Sequence, residues 1–166
     1  MPLWRSLPLI SFVVLLSASA LGQFDNIEER SAGSVKIEVT KDDYRGLNEA
    51  RKARSEEMLV QAASKILGKD SNDLLALNSL AVFYFEENKP GLSKIILIRA
   101  LEAHPNEPSL HNNLGIVYLD DGQQRKAISS LRRSLELKSS YNTGAANLAS
   151  IYLEYKDYSR ALQPLK

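Results

Sequence analysis

The sequence predicts an all-α solenoid built from antiparallel helix hairpins, and three observations lead there. First, side chains of matched size return every 34 residues: Leu80, Leu114 and Leu148; Ala81, Gly115 and Ala149; Tyr84, Tyr118 and Tyr152; Ser93, Ala127 and Ala161; Leu97, Leu131 and Leu165. Second, each unit reads as two helices of about 12–16 residues joined by a tight link. Third, helix-breaking residues fall at the links: Asn88-Lys89-Pro90, Pro105, Pro108 and Gly122. A fixed period of this size marks stacked supersecondary units rather than one closed core, and such stacks work mostly by presenting a binding surface.

Residues 1–22 read as a signal peptide. Arg5 supplies a positive n-region, Leu7 to Leu16 is an apolar run broken by Pro8 and Ser11, and Ala18-Ser19-Ala20 fits a signal-peptidase site with cleavage before Leu21, a cut after Gly22 being the alternative. The run is short for a membrane span, so a membrane is expected only through this leader where it stays uncleaved. The chain is therefore expected to be exported, to a periplasm or to the exterior. It has no Cys, so its stability must come from apolar burial rather than disulfides. Of 21 basic and 20 acidic residues the leader holds Arg5 and no acid, which leaves a neutral remainder. Neutrality argues against a nucleic-acid partner, which normally needs a net basic face. The remaining length, about 145 residues, is one domain's worth.

Residues 23–40 are expected to be disordered or extended. They begin polar, and then Val35, Ile37 and Val39 alternate with Lys36, Glu38 and Thr40 in a short strand pattern. Thr40 and Asp43 resemble a capping box and open a helical stretch, 41–73. Its first half is charged; in its second half Met58, Leu59, Ala62, Ala63, Ile66 and Leu67 form an apolar stripe. Gly68 closes it as a helix C′ residue would. This stretch is either a half-repeat cap, with 58–67 as a second helix, or one long helix from about Asp42. Three units follow, at 74–107, 108–141 and 142–166. The first pairs a helix from Asn72 to Glu87 with one ending at Ala103. Pro108 opens the second unit and Asn142 the third, whose turn holds Lys156-Asp157. The third unit stops part-way through its second helix, with Pro164 inside that helix. That points to a piece of a longer protein, or to an apolar end that meets a partner.

The columns have a physical reading. At each hairpin crossing a bulky side chain would hold the backbones apart, so Ala81, Gly115 and Ala149 are expected to meet Ser93, Ala127 and Ala161. The column of Leu80, Leu114 and Leu148 fills the space beside the crossing, and the Tyr column is expected to pack toward the next helix.

These residues resemble a known family. Leu-Gly-Ile-Val-Tyr at 114–118, with Ala127 and Leu131 downstream, resembles the tetratricopeptide repeat. Leu148-Ala149-Ser150-Ile151-Tyr152, with Asp157-Tyr158 and Ala161, is similar, as is Leu80-Ala81-Val82-Phe83-Tyr84 with Ala100 and Pro105. The match spans 74–166 and implies a right-handed solenoid of about three repeats. It departs from the family pattern in three places. Leu77, His111 and Ala145 replace the usual early Trp, Ser93 replaces a small Ala, and Ser139 replaces the closing Pro.

The resemblance implies that first helices line a concave groove that takes a protein or peptide segment. Its residues here would be Asn78, Val82 and Phe85; Ser109, Asn112, Ile116 and Leu119; and Ala146, Ser150 and Leu153, with Asn113 and Asn147 at the edge. Spacings of three and four put each set on one helical face. The amides would bond an extended backbone, with Phe85, Ile116 and Leu119 as apolar contacts. Some family members grip a terminal carboxylate with Lys and Arg; the matching positions hold Asn78, Val82, Asn113, Thr143 and Asn147, so that specificity is not expected. Glu86, Glu87, Asp120, Asp121 and Glu154 gather near the turns, which suits a basic partner or a solvated rim.

Catalytic and metal chemistry leave no signature. His104 and His111 stand seven residues apart across a Pro with no Cys, which is poor metal-ligand spacing. No Ser sits in a nucleophile-elbow setting, and no Gly-rich phosphate loop occurs. Arg125, Lys126, Arg132, Arg133 and Lys138, like Arg51, Lys52 and Arg54, read as solvated convex surface. The sequence thus predicts an exported protein- or peptide-binding scaffold that is not an enzyme, with no cofactor and no metal. The alternatives are the docking region of a larger exported enzyme, or a structural adaptor of an envelope assembly such as a pilus or gliding machine.

Overall fold

The structure is a computed structural model and describes residues 38–164. The signal-peptide reading and the strand positions Val35 and Ile37 lie outside the described residues. Val39 lies in a segment without regular structure and packs on the first core cluster. The described residues form eight helices: α1 (Lys41–Ala53), α2 (Glu56–Leu67), α3 (Leu74–Glu86), α4 (Pro90–Ala103), α5 (Pro108–Asp120), α6 (Gln124–Leu137), α7 (Asn142–Glu154) and α8 (Tyr158–Ala161).

The helices start where side chains can satisfy their first N–H groups. The capping box at α1 is formed: the Thr40 hydroxyl accepts from the Asp43 N–H, and the Asp43 carboxylate accepts from the Thr40 N–H at 2.8 Å. Ser55 caps α2 and Asp73 caps α3, the latter accepting from Ala76 N–H at 2.8 Å. Pro90 and Pro108 occupy the first turns of α4 and α5, where the missing N–H is no loss.

The long-helix alternative for 41–67 is corrected by the structure, because α1 and α2 are separate helices broken at Arg54 and Ser55. The break recurs at every hairpin. Arg54, Asn88, Gly122 and Lys156 all have φ between 50° and 67°. The following residue donates back to a carbonyl five positions earlier: Ser55 to Ala50, Lys89 to Tyr84, Gln123 to Tyr118 and Asp157 to Tyr152. This is a Schellman termination, which favours glycine at the left-handed position but finds it only at Gly122. Gly68 behaves otherwise than expected: it caps α2 in the right-handed region, at φ −69°.

Three core clusters run along the stack. The first joins Leu47, Leu59, Ala63 and Ile66 to Ala76 and Phe83; the second joins Leu77, Ala81 and Leu97 to Leu110, Leu114 and Val117; the third joins Ala127 and Leu131 to Leu148, Ile151, Tyr152 and Ala161. The crossing residues are all buried. A Cβ placed on Gly115 would stand 2.8 Å from Leu131 Cγ, so helices α5 and α6 approach as closely as their backbones allow.

The Tyr column packs in both directions along the stack: Tyr118 lies against the second core cluster and also against the third, with Ala127 and Leu131 of the next helix, and Tyr152 shares the third with Ala161. Tyr84 rests on the first core cluster, and the Tyr152 hydroxyl accepts from Arg132 of the preceding α6 at 2.9 Å. Cations close over these rings: Lys89 over Tyr84 at 5.5 Å, with Lys126 over Tyr118 and Arg160 over Tyr152 each at 5.4 Å. Pro164 lies beyond the end of α8 instead of inside it. The helix stops at Ala161, in keeping with the bias against helical geometry just before a proline.

Each first helix touches the next first helix, α1 to α3, α3 to α5 and α5 to α7, whereas no two second helices meet among the described residues. Spacing is therefore tighter on the first-helix side. The described stack is a solenoid that curves toward α1, α3, α5 and α7, and these line its inner face.

Two polar contacts fasten the first hairpin. Asp43 is buried; its Oδ2 takes Lys69 Nζ at 2.6 Å and the Thr40 hydroxyl at 2.8 Å. Its Oδ1 meets Lys65 at 2.9 Å, off hydrogen-bond alignment. The Lys69 bond, followed by the Thr40 backbone bond, holds this carboxyl well below the usual carboxylate range. Tyr44 of α1 donates to Asp73 Oδ2 at 2.5 Å, tying the hairpin to the cap of α3. That bond to a carboxylate, with burial, pushes the Tyr44 hydroxyl up to about 12.

Candidate peptide-binding groove

The inner face carries a chain of amides. Asn147 Nδ2 donates to Asn112 Oδ1 at 2.9 Å, Asn112 Nδ2 to Asn113 Oδ1 at 3.1 Å, and Asn113 Nδ2 to Asn78 Oδ1 at 2.8 Å. These bonds staple α7 to α5 and α5 to α3. Asn112 is only 4% exposed, so it is a buried link rather than a contact for a partner. In a low-dielectric seam, amides that satisfy one another are favoured over amides left facing outward. The outer groups of the chain, Asn78 Nδ2 and Asn147 Oδ1, bond no described residue.

Beside the amides lies a hollow of about 230 Å³ lined by Val82, Phe85, Glu86, Ser93, Asn113, Ile116 and Val117. It brings together four expected site residues, Val82, Phe85, Asn113 and Ile116, from two neighbouring units. Each is part-buried, with its remaining surface open to the groove. Phe85 also packs on the second core cluster and Leu119 on the third, so both serve the fold as well.

The remaining expected residues sit apart from this hollow. Ser109 spends its hydroxyl on Glu107, at 2.8 Å, within the cap of α5. Ser150 turns its hydroxyl back to the Ala146 carbonyl at 2.9 Å. Ala146, Ser150 and Leu153 form an exposed strip on α7, with Leu153 half exposed.

A second hollow, of about 340 Å³, lies where α1 meets α3. It is lined by Asn48, Arg51, Lys52, Arg54, Val82, Phe83 and Glu86. Arg51, Lys52 and Arg54 were expected on a convex surface; they belong instead to the inner-face side. The signal that could have found them is the 34-residue offset carried one unit further back. It places Arg51 with Phe85, Leu119 and Leu153, and Lys52 with Glu86, Asp120 and Glu154.

Of the other charged candidates, Asp121, Arg132 and Arg133 are tied to neighbours. Asp121 pairs with Lys94 at 2.9 Å, and that ammonium, with Gln123, lowers its carboxyl below the ordinary range. On the outer face Arg133 reaches Glu136 at 3.2 Å. The two histidines stitch loops, since a carbonyl can only accept: His104 Nε2 donates to the Asn72 carbonyl and His111 Nε2 to that of Pro105.

The tetratricopeptide-repeat family model matches residues 97–129, from the middle of α4 into α6. No curated protein sequence matches the chain. Among solved structures it resembles MamA, with a TM-score of 0.61 at 19% identity over 77% of this chain and 72% of that one. It also resembles PilF of Pseudomonas aeruginosa, with a TM-score of 0.62 at 21% identity over 69% and 53% respectively. A mutant O-GlcNAc transferase from Thermobaculum terrenum superposes with a TM-score of 0.55 at 26% identity, over 69% of this chain but 23% of the transferase. The chain thus carries a tetratricopeptide repeat at residues 97–129, and its repeat columns, hairpin stack and these likenesses agree on an α-solenoid of the tetratricopeptide-repeat type.

Proposed function

We propose that this chain is a protein-binding scaffold that acts outside the cytoplasm and catalyses no reaction of its own. An extended segment of a partner lies along the inner face. One of its apolar side chains enters the hollow between Val82 and Ile116, and its backbone meets the free amide ends of Asn78 and Asn147. The observation that carries this reading is the hollow itself: two repeats place part-buried apolar side chains around it, with open amide groups alongside. The acids at the rim, Glu86, Glu87, Asp120 and Glu154, suit basic groups on the outer parts of the partner.

The test is capture of envelope proteins by the immobilised chain and by Val82→Arg and Ile116→Arg variants. Both positions are part-buried on the inner face, and circular dichroism checks the fold of each variant. The reading expects capture to be lost in both; capture that persists in folded variants overturns it. Export is tested separately by mass spectrometry of the chain from an extracytoplasmic fraction, with Leu21 expected at its N-terminus. Recovery of the intact Met1 form from the cytoplasm alone overturns it.

A second reading has its own support. The likeness to a stretch covering 23% of an O-GlcNAc transferase suits a docking region of a larger exported enzyme. The groove would then hold that enzyme's substrate protein, by the same contacts.

A further inference from the structure

We propose that the outer face of the stack docks on a lipid bilayer bearing anionic headgroups, with α4 entering the interface and α6 supplying the charge. This goes beyond the groove reading and does not depend on it, because the groove lies on the opposite, inner face. On α4 the buried side is Ser93, Leu97 and Ala100. Turned away from them are Leu92, Ile95 and Ile98, which are 48%, 65% and 43% exposed. The fold does not require apolar side chains there. At the same register α6 has Lys126, Ser129 and Arg132, and its hairpin with α5 closes all the same. Met58 of α2, at the register of Leu92, adds another half-exposed apolar side chain. Single exposed apolar residues are ordinary. Three on one helical face, about 300 Å² together, reach the size at which a patch marks an interaction surface.

The α6 helix lies alongside. Lys94 of α4 pairs with Asp121, in the turn before α6, at 2.9 Å, and Arg133 of α6 reaches Asn106, just past α4, at 3.5 Å. The outer side of α6 is basic: Arg125, Lys126, Arg132 and Arg133 are exposed, with Lys138 just past its end. Of these, Arg133 alone is ion-paired among the described residues, with Glu136. Lys126 closes over the Tyr118 ring and Arg132 bonds the Tyr152 hydroxyl, neutral contacts that leave both charges in place. The acids on these two outer strips, Glu102 and Glu136, lie in the last turns of their helices, away from Leu92 and Ile95. On the other flank the cations are engaged: Lys89 pairs with Glu56 at 2.8 Å, and Arg99 bonds the Ser71 carbonyl at 2.9 Å. The patch is apolar with one basic side.

That arrangement suits a membrane interface, where apolar side chains enter the acyl boundary and Lys and Arg stay among anionic headgroups. Shape separates it from a protein partner. Among α2, α4 and α6, on the face that curves outward, α4 is the middle helix. It stands at the crown, and the flanks fall away from it. Its patch is far below the roughly 800 Å² that each side of a stable protein interface buries. A second copy of the chain would gain little there, whereas a bilayer yields to a protruding ridge. Docked in this way, the chain keeps its groove turned from the membrane and open to a partner.

The chain has no cysteine, so a single introduced one reports one position. The full-length chain with Ile95→Cys on the outer face, or with Ser150→Cys on the inner face, is labelled with an environment-sensitive fluorophore. Each is titrated with vesicles of phosphatidylcholine alone or mixed in equal parts with phosphatidylglycerol. The mixed vesicles should shift the Ile95 label to the blue and leave the Ser150 label unchanged, a contrast that insertion of the N-terminal residues does not produce. In the Ile95→Cys background, Arg125→Gln/Lys126→Gln should raise the lipid concentration at half-maximal shift by about tenfold. Ile98→Asp should raise it as well, and circular dichroism checks the fold of each variant. An Ile95 label that stays silent, answers phosphatidylcholine alone as strongly, or answers no more than the Ser150 label overturns the proposal, as does a response unchanged in both variants. A shift that appears without vesicles and grows with protein concentration assigns the face to a second copy and overturns it. A shift produced by lipid-free envelope proteins but not by vesicles assigns the face to a protein partner and overturns it too.

Discussion

Substituting Gly115 with Ala sets two effects of similar size against each other. Gly115 lies inside α5, where alanine is favoured over glycine by about 1 kcal/mol on helix propensity alone. Against this, the new Cβ would stand 2.8 Å from Leu131 Cγ, 3.1 Å from its Cδ2 and 3.3 Å from the Ala127 carbonyl oxygen. Leu131 is fully buried, and the nearest atom is its branch carbon rather than a free end. The whole side chain must move, or α5 and α6 must part. Overpacking of this kind costs about 1–3 kcal/mol. Strain should win, for a net loss of about 1 kcal/mol and a fall in midpoint of about 2–4 °C. Urea and thermal unfolding followed by circular dichroism at 222 nm measure this. The double variant with Leu131→Ala refines the test. Leu131→Ala alone removes a buried side chain at about 2–5 kcal/mol, and in the Gly115→Ala background the loss should be smaller by about 1 kcal/mol, because the new methyl occupies part of the cavity. A Gly115→Ala protein that gains stability would refute the reasoning, since propensity would then outweigh the close approach.

Other expectations follow from the same packing. Lys156→Gly should raise the unfolding midpoint, because a non-glycine residue at φ 56° is strained by about 1 kcal/mol; an unchanged or lower midpoint counts against the shared Schellman turn. Asn112→Ala should destabilise by about 1–3 kcal/mol, since it removes a buried amide and strands its two part-buried partners, Asn113 and Asn147; a loss no larger than that of Asn147→Ala would show that the amide chain is not a staple. The Asp43 carboxyl is lowered in the folded state, so its contribution is complete above the ordinary pKa near 3.8 and is lost as pH falls below it. Hydrogen exchange at pH 3 should therefore show α1 and α2 opening before α5 and α6, and Asp43→Asn should remove that difference. The Tyr44 hydroxyl is raised to about 12, so its bond to Asp73 contributes below pH 10 and fades between 10 and 12; a Tyr44→Phe variant should lose this alkaline step.

The legible part of the fold was the part where one size of side chain recurs in one place. Ala81, Gly115 and Ala149 must be small because a backbone passes over them, and Leu97 and Leu131 must be large because they fill what is left. The first hairpin obeys the same geometry with the sizes exchanged. Leu47 and Leu59 stand at the register of Ala81 and Ser93, while Gly46, Ala50 and Ala63 stand at that of Leu80, Tyr84 and Leu97. Volume is conserved across the interface although no single column is, so a comparison made column by column passes over it. The left-handed turn was hidden for a related reason. Four residues share the conformation, but only Gly122 has a composition that announces it.

The sequence by itself determined the hairpin, its period and the faces that must be buried, because those follow from local helix geometry and from the sizes of side chains at a crossing. Tertiary structure decided what the polar groups do. Asn78, Asn112, Asn113 and Asn147 are equally polar in the sequence, yet stacking joins them to one another and buries Asn112. Arg51, Lys52 and Arg54 look like any solvated cluster until the break after Ala53 sets them around a hollow against α3. A polar side chain finds its partner through space, and only the curvature of the whole stack fixes which groups come within reach.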